Sequence, residues 1–509
     1  MGGRRLLWWG TFAVCAALGL VWACSTPIMA SPDESAHTLK AVAMASGQWT
    51  MSTTTRTEPD GRISPVTHIE VPQGFVDLGF TPTCFNGQAE VAANCTDPDG
   101  SATSRTTWET YVAAYPPTYY LLVGWPSRFL EPRLAVYAMR ACSVLVAAAL
   151  LASGLASARA FRRTPSASGN PRVAGVAVGA AALAVTPIAL FLIGSVNPNG
   201  FEIAAGFCLW LSALDLLSRP DRAPTRLLVR VALSGALLVA TRPLSPAMFV
   251  CVVATVLVVA LDRPTWRRLA ADHRVRWAAG ALGAAFLAAT TLVGLAHSTS
   301  AVIKTPLPAD LSRGAVIRSS LAAWQFRAEQ LVGVLGNLDT RLPSTLVIGW
   351  FLVVAVFVAL ALRWSSWRRR VVLVGLIGAC LLMPTVSEAV SGASYGLGWQ
   401  GRYTMPIAVG VPILAGWMID RWGLRSAALA RWVVVVGVVG AAVGQAWALL
   451  TMLDRYSVGL PSSSLALRGA TRWHGPLQPI TLFGLGVVAG TAWAAWLLYL
   501  AVRPLTESS

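Results

Sequence analysis

Long apolar runs recur along the whole chain, separated mostly by short polar connections. A helix of about 20 apolar residues crosses a hydrocarbon core of about 30 Å. No water satisfies the backbone there, so each crossing segment must close its own hydrogen bonds, which selects helix. Twelve spans are predicted, at 6–24, 134–157, 173–194, 201–218, 227–241, 246–261, 277–297, 344–362, 371–389, 404–418, 432–452 and 479–502. The fourth to sixth and the tenth are short. Either they tilt little, or two of them pair as a broken or re-entrant element. Two predicted outward connections are long, about 25–133 and about 298–343, and long loops in a compact fold usually carry function.

Composition excludes a soluble enzyme. The 509 residues are 55% hydrophobic and 12% charged, with a mean hydropathy of +0.59. Soluble domains carry about 25% charged residues. The expected fold is an all-α polytopic membrane protein of about 12 transmembrane helices with a long first extracytoplasmic loop. Four regions follow: a first transmembrane helix at 1–24, an extracytoplasmic loop with juxtamembrane helices at 25–133, a transmembrane core at 134–420 and C-terminal transmembrane helices at 421–509.

The net charge of +17 suggests nucleic acid until its distribution is read. Basic residues fall in alternate connections: Arg4 and Arg5; Arg159, Arg162 and Arg163; Arg219, Arg222 and Arg226; Arg263 to Arg276; Arg368 to Arg370; Arg421, Arg425 and Arg431. The positive-inside rule puts these loops and both termini in the cytoplasm. A nucleic-acid binder would gather charge on one folded surface, so no nucleic-acid partner is expected. Arg4 and Arg5 before an apolar run also resemble a signal peptide, and Val21-Trp22-Ala23-Cys24 resembles a lipoprotein cleavage site. Trp22 is too bulky beside the cut, so an uncleaved first helix is expected.

Six of eight cysteines lie in or beside predicted spans and read as small packing residues. Cys84 and Cys95 alone share the outward loop, where a disulfide is expected. No histidine or second cysteine pair at zinc spacing stands near them.

The first loop opens with Ser31-Pro32-Asp33-Glu34-Ser35-Ala36-His37. Ser31 suits an N-cap, Pro32 the first helical position and Glu34 a capping box, for a short helix ending at Gly47. In one reading both acids only complement the helix dipole. In the other, Asp33, sharing a helix face with His37, is a general base or metal ligand at the mouth of the bundle. Asp97-Pro98-Asp99-Gly100 spells a metal-binding Asp-x-Asp but also a Pro-Asp-Gly turn, and is taken as a turn. The overlapping sequon at Asn94 carries little weight. Trp108, Tyr111, Tyr115, Tyr119, Tyr120, Trp125 and Phe129 close the loop. Most of them are expected in an interfacial aromatic belt, with a sugar or lipid platform as the alternative.

Three smaller outward features remain. Asn197-Pro198-Asn199-Gly200 leads to Glu202 at the head of a span, where an acid suits either the helix dipole or a cavity. Thr241-Arg242-Pro243 and Gly401-Arg402-Tyr403 place arginines outward, against the charge trend. Such arginines suit a lipid phosphate, or snorkel as anchors.

Four of these motifs, at 31–37, 115–120 (Tyr-Pro-Pro-x-Tyr-Tyr), 197–202 and 401–406 (Gly-Arg-Tyr-x-x-Pro), resemble a bacterial membrane family labelled domain of unknown function 2142. That family is in turn similar to the GT-C superfamily of polyprenyl-phosphate-sugar glycosyltransferases. The resemblance spans about residues 6–420. It implies a GT-C-like fold in the bacterial cytoplasmic (inner) membrane. It also implies a catalytic acid just after the first span, which Asp33 with Glu34 would supply, and an arginine where Arg140 stands. The step from family to chemistry is analogy of fold.

The leading expectation is an inverting glycosyltransferase on the outer face. A carboxylate, Asp33 or Glu34, takes a proton from an acceptor hydroxyl on an envelope glycan, lipid or protein. The oxygen displaces lipid phosphate from the anomeric carbon. Candidate substrate-binding residues are His37, Arg140, Asn199, Glu202, Arg242, Lys304, Arg402 and Tyr403. Arg242, Lys304 and Arg402, or a divalent cation (Mg or Mn) on Asp33, would stabilise the leaving charge. The rival readings are a transporter or flippase for lipid-linked sugar and a non-catalytic envelope-assembly protein. Transporters usually carry internal repeats and ionisable residues near the midplane, and the predicted spans carry few.

Overall fold

The computed structural model describes residues 2–57, 63–95, 100–161, 175–219, 222–260, 262–299, 312–422, 424, 426–461, 473 and 475–503. Helix α1 (Gly2–Cys24) leads into the first loop. That loop holds helix α2 (Glu34–Ala45), strands β1 (Ser52–Thr57) and β2 (Ile63–Pro72), helix α3 (Gln73–Leu78), strand β3 (Arg105–Thr110) and helix α4 (Thr118–Val123). The three strands form one antiparallel sheet in the order β1-β2-β3, with Thr53 opposite Thr67 and Ile69 opposite Trp108.

The core begins at helix α5 (Pro132–Ala160), started by Pro132 in its first turn and by Glu131, whose carboxylate accepts from the Arg133 and Leu134 amides. Helices α6 (Val176–Ala184) and α7 (Pro187–Ile193) follow, then α8 (Pro198–Ser218), α9 (Thr225–Val239), α10 (Ser245–Ala260), α11 (Arg263–Ala271) and α12 (His273–Thr299). A second segment, predicted to face outward, carries helices α13 (Arg313–Ala322) and α14 (Trp324–Val332) and a small hairpin, β4 (Val334–Leu335) with β5 (Thr340–Arg341). The chain continues through α15 (Ser344–Trp364), α16 (Trp367–Tyr395), α17 (Gly401–Ala408), α18 (Gly410–Trp422), α19 (Ala427–Ser457) and α20 (Pro479–Val502).

All twelve predicted apolar runs are helical, but they are not twelve equal spans. Among the described residues nine helices are long and apolar enough to cross a membrane, counting α17 and α18 together, and the bent pair α6–α7 would make a tenth. The predicted fifth and sixth spans are α9 and α10, helices of 15 and 16 residues. At about 1.5 Å per residue they fall short of the hydrocarbon thickness. The broken element is the third predicted span rather than one of the short ones. Its two halves meet at 63°, because Pro187 lacks an amide and its ring crowds the preceding turn. The Val185 carbonyl freed there accepts from the buried Gln445 side chain of α19, the compensation that membrane-level breaks require.

Among the described residues, hydrogen bonds near the helix ends join parts of the chain on the same predicted side. On the predicted inner side Trp8 donates to Ser153, Trp496 to Thr11, and Arg268 to the Arg219 carbonyl. Exposed Trp9, Trp266, Trp277, Trp367 and Trp432 lie near that end of their helices, where aromatic anchors are expected. On the predicted outer side Cys84 and Cys95 are bonded, and their loop docks on the end of α19. There Arg455 donates to the Phe85 and Val91 carbonyls and pairs with Asp339 at 2.9 Å. The last two helices thus hold the disulfide loop and, through packing of α20 on α1, the start of the chain.

Candidate functional site

The segment between α1 and α2 is built around a buried ion pair. Glu34 and Arg140, both without solvent exposure, meet through two bonds of 2.8 and 2.7 Å. The remaining Arg140 donors reach the Ala23, Thr26 and Pro27 carbonyls, and Glu34 also accepts from the Val196 amide. All five guanidinium donors are thereby used. Asn197 donates to the Pro32 carbonyl and Ser31 to Ser195, binding the loop before α8 to the loop before α2.

This arrangement corrects the capping-box expectation. Helix α2 starts at Glu34, and its N-cap is Asp33, in the left-handed region at φ 60° with no side-chain cap bond. A capping-box glutamate reaches back to its own helix start, whereas Glu34 has a guanidinium opposite it. Neither Glu34 nor Arg140 presents a free polar atom to a substrate. The expected catalytic role of Glu34 and binding role of Arg140 give way to a structural one.

Asp33 is left at the surface of this framework, with its side chain 34% exposed. Its Oδ1 accepts from the Tyr111 hydroxyl at 2.8 Å and its Oδ2 from Arg402 Nη2 at 2.6 Å. Burial pushes the carboxyl up, but the Arg402 guanidinium and the Tyr111 hydroxyl outweigh it and hold the group below the ordinary carboxylate range. Residues from the first loop and from α17, 369 positions apart, are therefore joined in one cluster.

Arg402 and Arg242 are both buried, and both lie against the Tyr403 ring, with Cζ at 5.4 and 4.6 Å from its centre. Arg242, in the turn between α9 and α10, donates to Glu202 at 2.9 Å, and Glu202 also accepts from Ser245 at 2.6 Å. Arg402 Nε and Nη1 and Arg242 Nε have no hydrogen-bond partner. Unpaired donors on two buried cations are costly, and an entering anion would satisfy them. Glu202 is thus the counter-ion that orients Arg242. Asn199 sits one turn earlier, its Nδ2 donating to Asn197.

The turn that aims Arg402 is fixed from outside the motif. Arg327 pairs with Glu388 through bonds of 2.8 and 2.7 Å, and Glu388 accepts from the Trp399 amide. Gln330 accepts from the Gly401 amide. A Cβ on Gly401 would collide with the Arg327 carbonyl, so this close approach requires glycine.

The aromatic segment divides. Trp125 and Phe129 are exposed, as a belt would be. Tyr119 and Tyr120 are fully buried, and Tyr111 and Tyr115 turn toward Asp33 and Arg242. Burial contradicts the belt expectation for Tyr119 and Tyr120, because α4 packs on α2 and α5, whereas Tyr111 stays 39% exposed. His37 Nδ1 lies 2.9 Å from the Tyr120 hydroxyl. Burial outweighs the nearby Asp33 charge and lowers the ring to about 3, so it is neutral near pH 7. Lys40 donates all three protons, to the Val112, Ala113 and Tyr115 carbonyls, and burial brings it down to about 7. Lys304, Asp97 and Asp99 lie outside the described residues.

Both Asp33 oxygens are already engaged, and among the described residues no three His, Cys, Asp or Glu side chains converge. The donor set does not fit the expected divalent cation. It fits an anion, met by guanidinium groups.

Sequence reasoning missed Lys40, Ser245, Arg327 and Glu388. Two left a signal. Glu388 is the sole charged residue in the 371–389 run, and Lys40 is one of two lysines in the chain.

The chain is similar to two solved structures of ArnT from Cupriavidus metallidurans, one bound to undecaprenyl phosphate and one in the apo state. Identities are 16% and 15% and TM-scores 0.43 and 0.44, and each match covers 96% of this chain and 76% of the other. No curated protein matches the chain. The family described as Predicted membrane protein (DUF2142) matches residues 16–411, which include all four motifs, and the chain belongs to that family.

Proposed function

We propose that the protein is a membrane glycosyltransferase. It takes a sugar from a polyprenyl-phosphate-linked donor and modifies a cell-envelope glycan, lipid or protein on the outer face. One observation carries the reading: a partly exposed carboxylate, Asp33, pairs with buried Arg402, which shares the Tyr403 ring with buried Arg242, and both guanidiniums have unpaired donors. Nucleotide sugars are not available on that face, so a lipid-linked donor is the matching chemistry.

In this reading Asp33 accepts the proton of an acceptor hydroxyl, whose oxygen attacks the anomeric carbon. The bond from that carbon to the phosphate oxygen breaks, and Arg242 and Arg402 take the leaving charge. Glu202 and Ser245 orient Arg242 and do not touch the donor.

The test uses full-length protein in proteoliposomes loaded with labelled polyprenyl-phosphate sugars and an envelope extract as acceptor. Wild type should transfer label, and Arg402→Gln should lose about 100-fold or more, the scale of one transition-state donor. Label that crosses the bilayer without changing carrier would point instead to a flippase and overturn the reading.

A further inference from the structure

Asp33 and an incoming phosphate would compete for one guanidinium. Arg402 gives Asp33 a single donor, Nη2, while its buried Nε and Nη1 stay unpaired. A guanidinium fork matches a phosphate through two parallel bonds better than it matches a one-point carboxylate contact. The two partners differ in freedom. The Arg402 side chain is 3% exposed and enclosed by its helix and neighbours, whereas Asp33 is 34% exposed. Asp33 also has φ 60°, shared among described non-glycine residues only with Met29 and Leu338. Backbone of this kind is held by its surroundings and often marks a working residue.

We infer that the Asp33–Arg402 ion pair is a latch, closed in the ligand-free protein: an alkyl phosphate takes over Arg402 and releases Asp33 as a free carboxylate that Tyr111 keeps in place. The inference rests on the reading of this site as one for lipid phosphate. Tyr111 is a positioning residue here. Its hydroxyl holds the other carboxylate oxygen, so Asp33 loses one partner on exchange and keeps one. The chain just beyond Tyr111 cannot drift, because Lys40 is bonded to the carbonyls of Val112, Ala113 and Tyr115. Arg242 does not take part in the exchange. Its Nη1 stays on Glu202, and its buried Nε is open to the same anion. The base is thereby freed only when donor phosphate is present.

The test is calorimetric titration of the full-length protein in nanodiscs with farnesyl phosphate, and with farnesol as the neutral control. Wild type should bind the phosphate and not the alcohol, and Arg402→Gln should bind neither. Asp33→Asn should bind farnesyl phosphate about tenfold tighter, because the competing carboxylate charge is gone. Asp33→Ala should shift the same way, guarding against a specific effect of the new amide. Binding by wild type with equal or weaker binding by both Asp33 variants would overturn the latch and leave the phosphate reading standing. No binding by wild type or by either Asp33 variant would overturn that reading, and the latch with it.

Discussion

Glu34 and Arg140, 106 residues apart, form a two-point ion pair with no exposed atom on either side chain. Removing one partner of such a pair leaves a buried charge without compensation, at a cost of about 3–5 kcal/mol. Glu34→Gln and Arg140→Met should therefore lower the unfolding temperature and the yield of monodisperse protein. A capping-box glutamate would tolerate glutamine with little loss. Wild-type thermal stability in Glu34→Gln would restore the capping role.

The disulfide loop should depend on a residue far away in the chain. Arg455 ties it to α19 through the Phe85 and Val91 carbonyls. Arg455→Ala should speed proteolysis within 84–95 while Cys84–Cys95 stays intact by mass mapping. Replacing both cysteines with serine should cost about 2–4 kcal/mol. Unchanged cleavage in Arg455→Ala would mean that the loop is held elsewhere.

His37 should make the outer domain acid-labile. Its folded value near 3 lies below its ordinary 6.5, so between those pH values the unfolded chain binds more protons. The stability it contributes is full above pH 6.5 and is lost as pH falls toward 3. Unfolding temperatures measured at about pH 7 and pH 4.5 should drop less in His37→Gln than in wild type. An equal drop would assign the acid sensitivity to other groups.

Orientation follows from the arginine pattern. A reporter fused at Arg267 should read cytoplasmic, and one at Gly100 should read outside. The reverse pair of results would move the whole Asp33 cluster to the wrong face for a lipid-linked donor.

Much of the fold was legible because hydropathy is a strong local signal: every predicted apolar run is a helix. Span length was legible for α9 and α10, predicted short and found at 15 and 16 residues; the break at Pro187 was not, because it falls inside one continuous apolar run. The candidate site was half legible. Asp33, Arg242, Arg402 and Tyr403 stand out by residue type and position. What Glu34 does was not readable, because a local pattern, Ser-x-x-Glu, has a sufficient local explanation, and its partner Arg140 is 106 residues away. Tyr111 likewise looked like one more interfacial aromatic until the fold turned it onto Asp33.

The central claim is that Asp33 is the reacting carboxylate. The Arg402 guanidinium and the Tyr111 hydroxyl hold its pKa below the ordinary value, which keeps it ionised at neutral pH. Asp33→Asn keeps the shape and one hydrogen-bonding oxygen while removing the charge. Asp33 makes no side-chain cap bond, and asparagine tolerates its left-handed backbone as well as aspartate does, so the variant should fold. Measured in the proteoliposome assay, sugar transfer should fall by a factor of about 100 or more, with farnesyl phosphate binding retained. Normal transfer by a folded Asp33→Asn protein would contradict the account.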